Sequence, residues 1–520
     1  MYKFARIFTG LVFVFLLASA TFSATFTVTK TADTNDGTCD ADCSLREAVT
    51  AANTAAGDDI VNFDAAVFGT AQTITLTLGE IVITANGSFT LNGTGASRLT
   101  IDGNMASRIL TINNAVAFIK DLTFTHGNGA GTANTGRGGA IYNFGATTII
   151  SNSVITANSA ANGGGLNNSA TTSTPGPAQV GNLTFDNCIV SNNTATGSGG
   201  GMQNFSTSTV TITNSIFMGN SSGGTTGGGG GQFNGGVRIT NSTFANNTAP
   251  NGGGGGIQSN GTLGTLLTNV TISNNTSTTN GGGIHRGTTN TNFFIRNSIV
   301  AGNNGDPISP DITNSTGGIV SEGNNIIGNV GTSTGWIMSD LLNTNPLLNP
   351  LANNGGFTMT FLPMAGSPAI DAGQNCVLDL TCATNNPPQA VTTDQRGVMR
   401  PQGAAVDIGS VEVAATMTSN ATVSGRVLLA SGQGVSKAIV TISDTNGVIQ
   451  TALTSSFGYF TFAGISTGQA YTLNVSSKQY SFSPQQVTVN GDITNLTITA
   501  TGENLNSGEL KSIFSKMEIF

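Results

Sequence analysis

Between residues 121 and 303 one seven-residue pattern, Asn-Ser-x-(Ile/Phe/Val)-x-x-Asn, keeps returning. Its copies begin at Asn152, Asn187, Asn214, Asn241, Asn269 and Asn297, after a degenerate copy at Asp121, so the spacings are 31, 35, 27, 27, 28 and 28 residues. A second motif, Gly-Gly-(Gly/Ala)-(Ile/Leu/Met)-x-Asn, lies between copies, at Gly138–Asn143, Gly163–Asn168 and Gly199–Asn204. Later versions run Gly254–Ser259 and Gly281–Arg286. A fixed period of this length means a solenoid, because one repeat cannot bury its apolar face without a neighbour above and below.

Each period holds three short β-prone runs and no helical periodicity. Three strands per turn, stacked in parallel, make an all-β parallel β-helix. Two residues before each repeat Asn stands a large apolar residue: Ile150, Phe185, Ile212, Ile239, Leu267, Ile295. One residue after it the side chain is small (Ser153, Cys188, Ser215, Ser242, Val270, Ser298), and three after it is apolar again (Ile155, Val190, Phe217, Phe244, Ile272, Val300). These offsets share one face only if the chain bends at the Asn, and Asn tolerates the left-handed backbone this needs. Stacked bends would then form an asparagine ladder through Asn152, Asn187, Asn214, Asn241, Asn269 and Asn297. Cys188 falls in the small inward row, as a buried, inert thiol.

Composition agrees. Of 520 residues, 71 are Gly and 57 Asn, and only 8% are charged. Like charges stacked directly above one another repel, so a ladder fold avoids them. A net charge of −8 argues against nucleic acid or an anionic membrane as partner, since both call for basic patches.

Lys3 and Arg6 precede an apolar run from Ile7 to Leu17, with small residues at Ala18, Ser19, Ala20 and Ala24. This reads as a secretory signal peptide over 1–24, rather than an anchor, because the run is shorter than the ~20 residues a spanning helix needs. No other stretch could span a bilayer, so no membrane span is expected after cleavage, and the expected location is secreted or cell-surface. In an exported chain Cys39–Cys43 and Cys376–Cys382 read as local disulfides. Zinc is the rival, but His126 and His285 are distant from both pairs in sequence. No metal or other cofactor is expected.

The repeat resembles the secreted bacterial right-handed parallel β-helix proteins of the pectin-lyase-like superfamily over residues 58–330. Its Gly-Gly-x-Ile and Asn-Ser-x-Phe pairing is also similar to the repeats of polymorphic outer-membrane adhesins. Cys43-Ser-Leu-Arg-Glu-Ala48 resembles the CSLREA segment at the front of exported β-helix proteins. There Ser44 and Glu47 form a capping box, and Leu45, Ala48, Val49 and Ala52 line one face of a helix able to plug the solenoid. Residues 345–413 resemble the choice-of-anchor Q segment, through Asn345-Pro-Leu, Gly366-Ser-Pro-Ala-Ile-Asp-Ala-Gly373, Thr393-Asp-Gln-Arg-Gly397 and Asp407-Ile-Gly-Ser-Val-Glu412. That resemblance implies a C-terminal cap. Its charged residues Asp371, Asp394, Arg396, Arg400 and Asp407 are read as salt-bridged in preference to an ion site. Residues 421–502 show short alternating strands expected to form a small β-sandwich. They resemble the carboxypeptidase regulatory-like domain, a non-catalytic module, through Ser424-Gly-Arg-Val427 and Gly458-Tyr-Phe-Thr-Phe462. The expected order is signal peptide 1–24, N-terminal cap 25–57, β-helix 58–344, C-terminal cap 345–415, β-sandwich 421–502 and tail 503–520. In the tail Leu510, Ile513, Phe514 and Met517 have helical spacing, capped by Ser507.

Enzymes of the superfamily need converging carboxylates for hydrolysis, or acidic calcium ligands and a base for elimination. From Leu122 to Gly305 the only carboxylate is Asp186. Asp102, Asp121, His126 and Arg137 could build a cluster only if the fold gathers them. No catalytic residue is therefore assigned, and an exported, non-catalytic scaffold or adhesin is expected; a polysaccharide lyase or glycoside hydrolase is the alternative. If Ile of Gly-Gly-x-Ile-x-Asn points inward, the next position points outward. That gives a stripe of Tyr142, Asn167, Gln203, Phe233, Gln258 and His285, weighed as a contact for extracellular polysaccharide or cell-surface glycan against ordinary solvated surface. The sequence leaves oligomeric state open.

Overall fold

A computed structural model of the chain describes residues 23–171, 179–205, 207–287, 292–315, 318–413, 420–444, 447, 449–467 and 469–503. The apolar run of the expected signal peptide and the tail helix lie outside the described residues. The chain divides into two compact units, 1–415 and 416–520.

The first unit is a parallel β-solenoid of about nine turns. One turn shows why the sequence winds. Met202–Asn204 lies in a sheet here called sheet 3, Thr209–Thr213 in sheet 1 and Ile216–Met218 in sheet 2. The short strand Ser221–Ser222 follows, and then the glycines lead into Gly231–Phe233 on the next rung of sheet 3. Each strand pairs in parallel with its counterpart one turn away, as Thr209–Thr213 does with Gly236–Thr240. Among the described residues sheets 1 and 2 each have eleven strands and sheet 3 has nine.

The corners explain the motif. Every repeat Asn has a left-handed backbone: Asn152, Asn187, Asn214, Asn241, Asn269 and Asn297 have φ between 46° and 53°. A second left-handed corner follows five residues later, at Ala157, Asn192, Gly219, Asn246, Asn274 and Gly302. With the chain bent at the Asn, the offsets −2, +1 and +3 all turn inward, and all eighteen residues read as inward are buried. Phe217 and Phe244 stack on successive rungs with centroids 4.9 Å apart. Each such side chain stabilises the fold by about 1.5–3 kcal/mol. At the third corner a Cβ on Gly200 would strike the carbonyl of Gly229 one turn on, so only glycine lets the turns close to rung spacing.

The asparagine ladder forms one position set away from the expected one. Among the repeat asparagines the amide chain is interrupted. Asn187 donates to Asn152 at 2.8 Å, but Asn214 donates to Asp186, and Asn269 turns to the carbonyl of Asp407. The regular ladder belongs to the closing Asn of the motif: Asn158, Asn193, Asn220, Asn247, Asn275 and Asn303. Each side-chain amide donates to the next side-chain carbonyl at 2.8–3.0 Å. The same carbonyls accept the backbone N–H of the preceding rung. Asn143, Asn168 and Asn204 form a second, shorter ladder beneath sheet 3.

At the front, Thr25–Val28 is already the edge strand of sheet 1, so the solenoid starts ahead of the expected boundary at 58. Helix Leu45–Thr54 begins on the Ser44–Glu47 capping box and buries Leu45, Ala48, Val49 and Ala52. It packs on the first strands, where Asn53 Nδ2 donates to the carbonyl of Val82 in the edge strand of sheet 3. Arg46 pairs with Asp33 rather than with Glu47, whose carboxylate faces Ser44, Thr34 and Asp36. Both expected disulfides, Cys39–Cys43 and Cys376–Cys382, are present.

The segment after 345, expected as a cap, runs back along the flank of the solenoid. Its contacts step down the repeat corners. Gln374 N–H donates to Asn297, Ser410 N–H to Thr271, Asn269 to the carbonyl of Asp407, and Asn241 to the carbonyl of Thr393. The strap offers its carbonyls to the amides of Asn241, Asn269 and Asn297, so these amides reach their neighbours in the row only at 3.5 Å or not at all. Val330 and Trp336 are what pack on the solenoid core at its C-terminal end. The strap's own charges are internal. Arg400 pairs with Glu412 at 2.8 Å, both fully buried, and Arg396 with Asp394 at 2.7 Å.

The second unit is a small β-sandwich. Asn420–Leu428 lies between Tyr459–Ser466 and Ile493–Thr499. The facing sheet orders Ile449–Leu453, Ile439–Ser443, Gln469–Ser476 and Gln485–Val489. Val423, Val427, Val440, Phe460, Phe462 and Leu473 fill its core.

Candidate functional site

The expected stripe on sheet 3 is real as a register, but most of it is covered. Tyr142, Asn167, Gln203, Gln258 and His285 do stand on one row. Phe233 does not. The partner of both Gln203 and Gln258 is Gln232, and Phe233 pairs with Asn204. The slip arises because Gly231 takes the inward place of Met202 and Ile257. Phe233, of the same parity, turns its ring into the space that a Cβ on Gly231 would occupy. Most of the row is buried: Tyr142 and Asn167 are 0% exposed, Gln203 5% and Gln258 2%, while His285 is half-buried. Its polar groups bond within the chain. Asn134 Nδ2 donates to the Tyr142 hydroxyl at 2.9 Å, Asn167 to Gln203 at 2.9 Å, and Gly254 N–H to Gln258 at 3.0 Å. His285 contacts Thr313 Oγ1 at 2.8 Å, and burial pushes its pKa down to about 4. Tyr142, Asn167 and Gln203 are thus closed to a polymer, while Gln258 and His285 border a hollow of about 340 Å³.

The dispersed candidates of the early turns are not gathered either. Asp102 Oδ2 and His126 Nδ1 meet at 3.0 Å. Asp121 instead makes a left-handed corner, and the Arg137 guanidinium lies over the Phe205 ring, 4.4 Å from its centroid.

Two adjoining exposed hollows lie on sheet 1. Its central outward row runs Phe118, Ile149, Thr184, Thr211, Arg238, Leu266, Phe294 on successive turns. Phe118 and Ile149 are 38% and 37% exposed. Along part of this row the strap rises as a wall. Pro388–Thr393 faces Ile149, Thr184, Asp186, Thr213 and Asn241 across a cleft of about 440 Å³. An adjoining hollow of about 400 Å³ is lined by Arg238, Leu266, Phe294 and Asn385, and Thr211 lines both.

The wall is held at both ends. Near Asn385 the Glu322 carboxylate accepts from Thr384 and Asn385 and pairs with Arg296 at 2.9 Å. At the other end Asn241 holds the Thr393 carbonyl and Thr243 the Gln395 side chain. Val377, Cys382, Val391 and Val406 form a small apolar cluster behind it. Asp186 Oδ1 accepts from Thr213 Oγ1 and Asn214 Nδ2, both at 2.9 Å. Asp186 and Arg238 stand two rungs apart, ~10 Å along the axis. The groove thus offers hydroxyls, apolar side chains and two separated charges of opposite sign. Asp186 was visible as the lone carboxylate of the repeat. Its wall was not, because nothing in residues 384–393 says which turn of the solenoid they reach.

No curated protein matches the chain. Residues 422–501 match the carboxypeptidase regulatory-like domain family, and the second unit therefore carries a domain of that family.

Proposed function

We propose that the chain is an exported, non-catalytic scaffold or adhesin-like protein of the cell surface or matrix, which holds a linear glycan along the outer face of sheet 1. The observation that carries this reading is the cleft between sheet 1 and the strap, with its hydroxyl lining and apolar flanks. Sugar hydroxyls bond to Thr and Asn side chains, and sugar faces pack on exposed apolar and aromatic groups such as Phe118. A hydrolase would need two carboxylates about 5–9.5 Å apart, and Asp186 is the single one lining the cleft. We assign the solenoid to the pectin-lyase-like superfamily, residues 43–48 to a CSLREA segment and 345–413 to a choice-of-anchor Q segment, on the residues quoted above. The signal-like N-terminus supports export. The β-sandwich serves as an accessory module.

A glycan array probed with wild type and with Thr211→Trp, which fills the groove floor, tests the binding reading. Signals lost in the variant support it, and identical profiles sink it. Incubation with polyuronates, with and without calcium, addresses the enzyme alternative: new reducing or unsaturated ends would favour a lyase or hydrolase.

A further inference from the structure

We propose that the strap-walled cleft over Asp186 takes a protonated amino group carried on a linear sugar polymer, so that the ligand is an amino-glycan. This rests on the groove reading above and adds the charge of the ligand. Asp186 is the only charged side chain lining the cleft. Thr213 and Asn214 hold its Oδ1, while Oδ2 has no partner among the described residues. The carboxylate is thus fixed in orientation with one oxygen left to accept. Ile149 lines the same cleft, and its apolar side chain lowers the local dielectric and strengthens the attraction of the carboxylate for a cation. The net charge of −8 adds long-range attraction for a cationic polymer and repels a polyuronate.

A glycan suits this place better than a lysine-bearing peptide. The cleft lies on the face of a sheet whose backbone groups are paired with the turns above and below, so a peptide strand finds no main-chain partners. Rungs are ~4.8 Å apart, on the order of one pyranose unit, so a polymer along the axis presents about one sugar per turn. Arg238, two turns on, repels a second amine. The favoured ligand therefore carries an isolated amine among neutral units rather than an unbroken run of amines.

Calorimetric titration of the full chain at low salt tests this with three β-1,4-linked glucosamine hexamers: fully acetylated, half acetylated and fully deacetylated. Penta-lysine is the fourth probe. Wild type should bind the half-acetylated hexamer at least tenfold more tightly than the acetylated one. Asp186→Asn, which keeps the Oδ1 acceptor, should erase that advantage and leave the melting temperature unchanged. Arg238→Gln should improve binding of the fully deacetylated hexamer. Equal wild-type affinity for acetylated and half-acetylated hexamers, or an Asp186→Asn variant that binds both like wild type, overturns the inference. So does penta-lysine binding that depends on Asp186 when no hexamer binds. In those cases the groove reading survives if Thr211→Trp still abolishes array signals for other glycans, and falls with the inference if it does not.

Discussion

Asn193 donates its side-chain amide to Asn220 Oδ1 at 3.0 Å, and the same oxygen accepts the Asn193 backbone N–H at 3.0 Å. One buried carbonyl therefore satisfies two donors of the turn before it. Asn220→Ala would leave the backbone N–H without a partner and the side-chain amide with only its bond to the Ile155 carbonyl, in a fully buried place, at a cost of about 1–3 kcal/mol for each unsatisfied donor. Urea unfolding should show a clear drop in midpoint. Asn214→Gly, at the left-handed corner of the same repeat, should shift it by less than about 1 kcal/mol, because glycine accepts that backbone at little cost.

Phe217 stacks on Phe244 and meets Phe185 edge-on at 5.8 Å. Phe217→Ala should cost about 3–5 kcal/mol by opening a cavity between rungs. Phe217→Leu should recover a large part of that loss, as read by thermal melts of both variants.

Cys188 is fully buried, and burial pushes its thiol up to about 12. The thiolate is the reactive form, so iodoacetamide at neutral pH should leave Cys188 unlabelled in the native protein and label it after unfolding. Rapid native labelling would contradict its inward place.

Asp407 is fully buried, and desolvation raises its carboxyl to about 6, against the backbone N–H donors of Asp371 and Val413. The folded state therefore binds this proton more tightly than the unfolded chain does. Its contribution is favourable below the unfolded value near 3.8, declines as pH rises to about 6, and is then lost. Glu47 and Glu80, held down by hydrogen bonds against their burial, act in the opposite sense. The difference in melting temperature between wild type and Asp407→Asn isolates the Asp407 term. Wild type should lose ground to the variant between pH 4 and 6, and a constant difference would contradict this.

Repeat spacing and the inward offsets of Ile212, Ser215 and Phe217 were enough to specify a parallel solenoid, because inward packing at a fixed period is a local rule repeated. The capping box at Ser44 and both disulfides were legible for the same reason: their partners are three to six residues apart. Asn214 and Asn220 recur with the same period, and only the corner geometry tells that the amide pointing along the axis is that of Asn220. Gln232 rather than Phe233 stands on the outward row, because Gly231 in the core row shifts the motif match by one residue. Burial of the Tyr142 row and the wall over Asp186 depend on chain segments whose reach no local pattern encodes. Local chemistry thus determined how each turn is wound. Where a surface stayed open, and which carboxylate it exposed, was decided only when the strap folded back and bonded to Asn241, about 150 residues earlier in the chain.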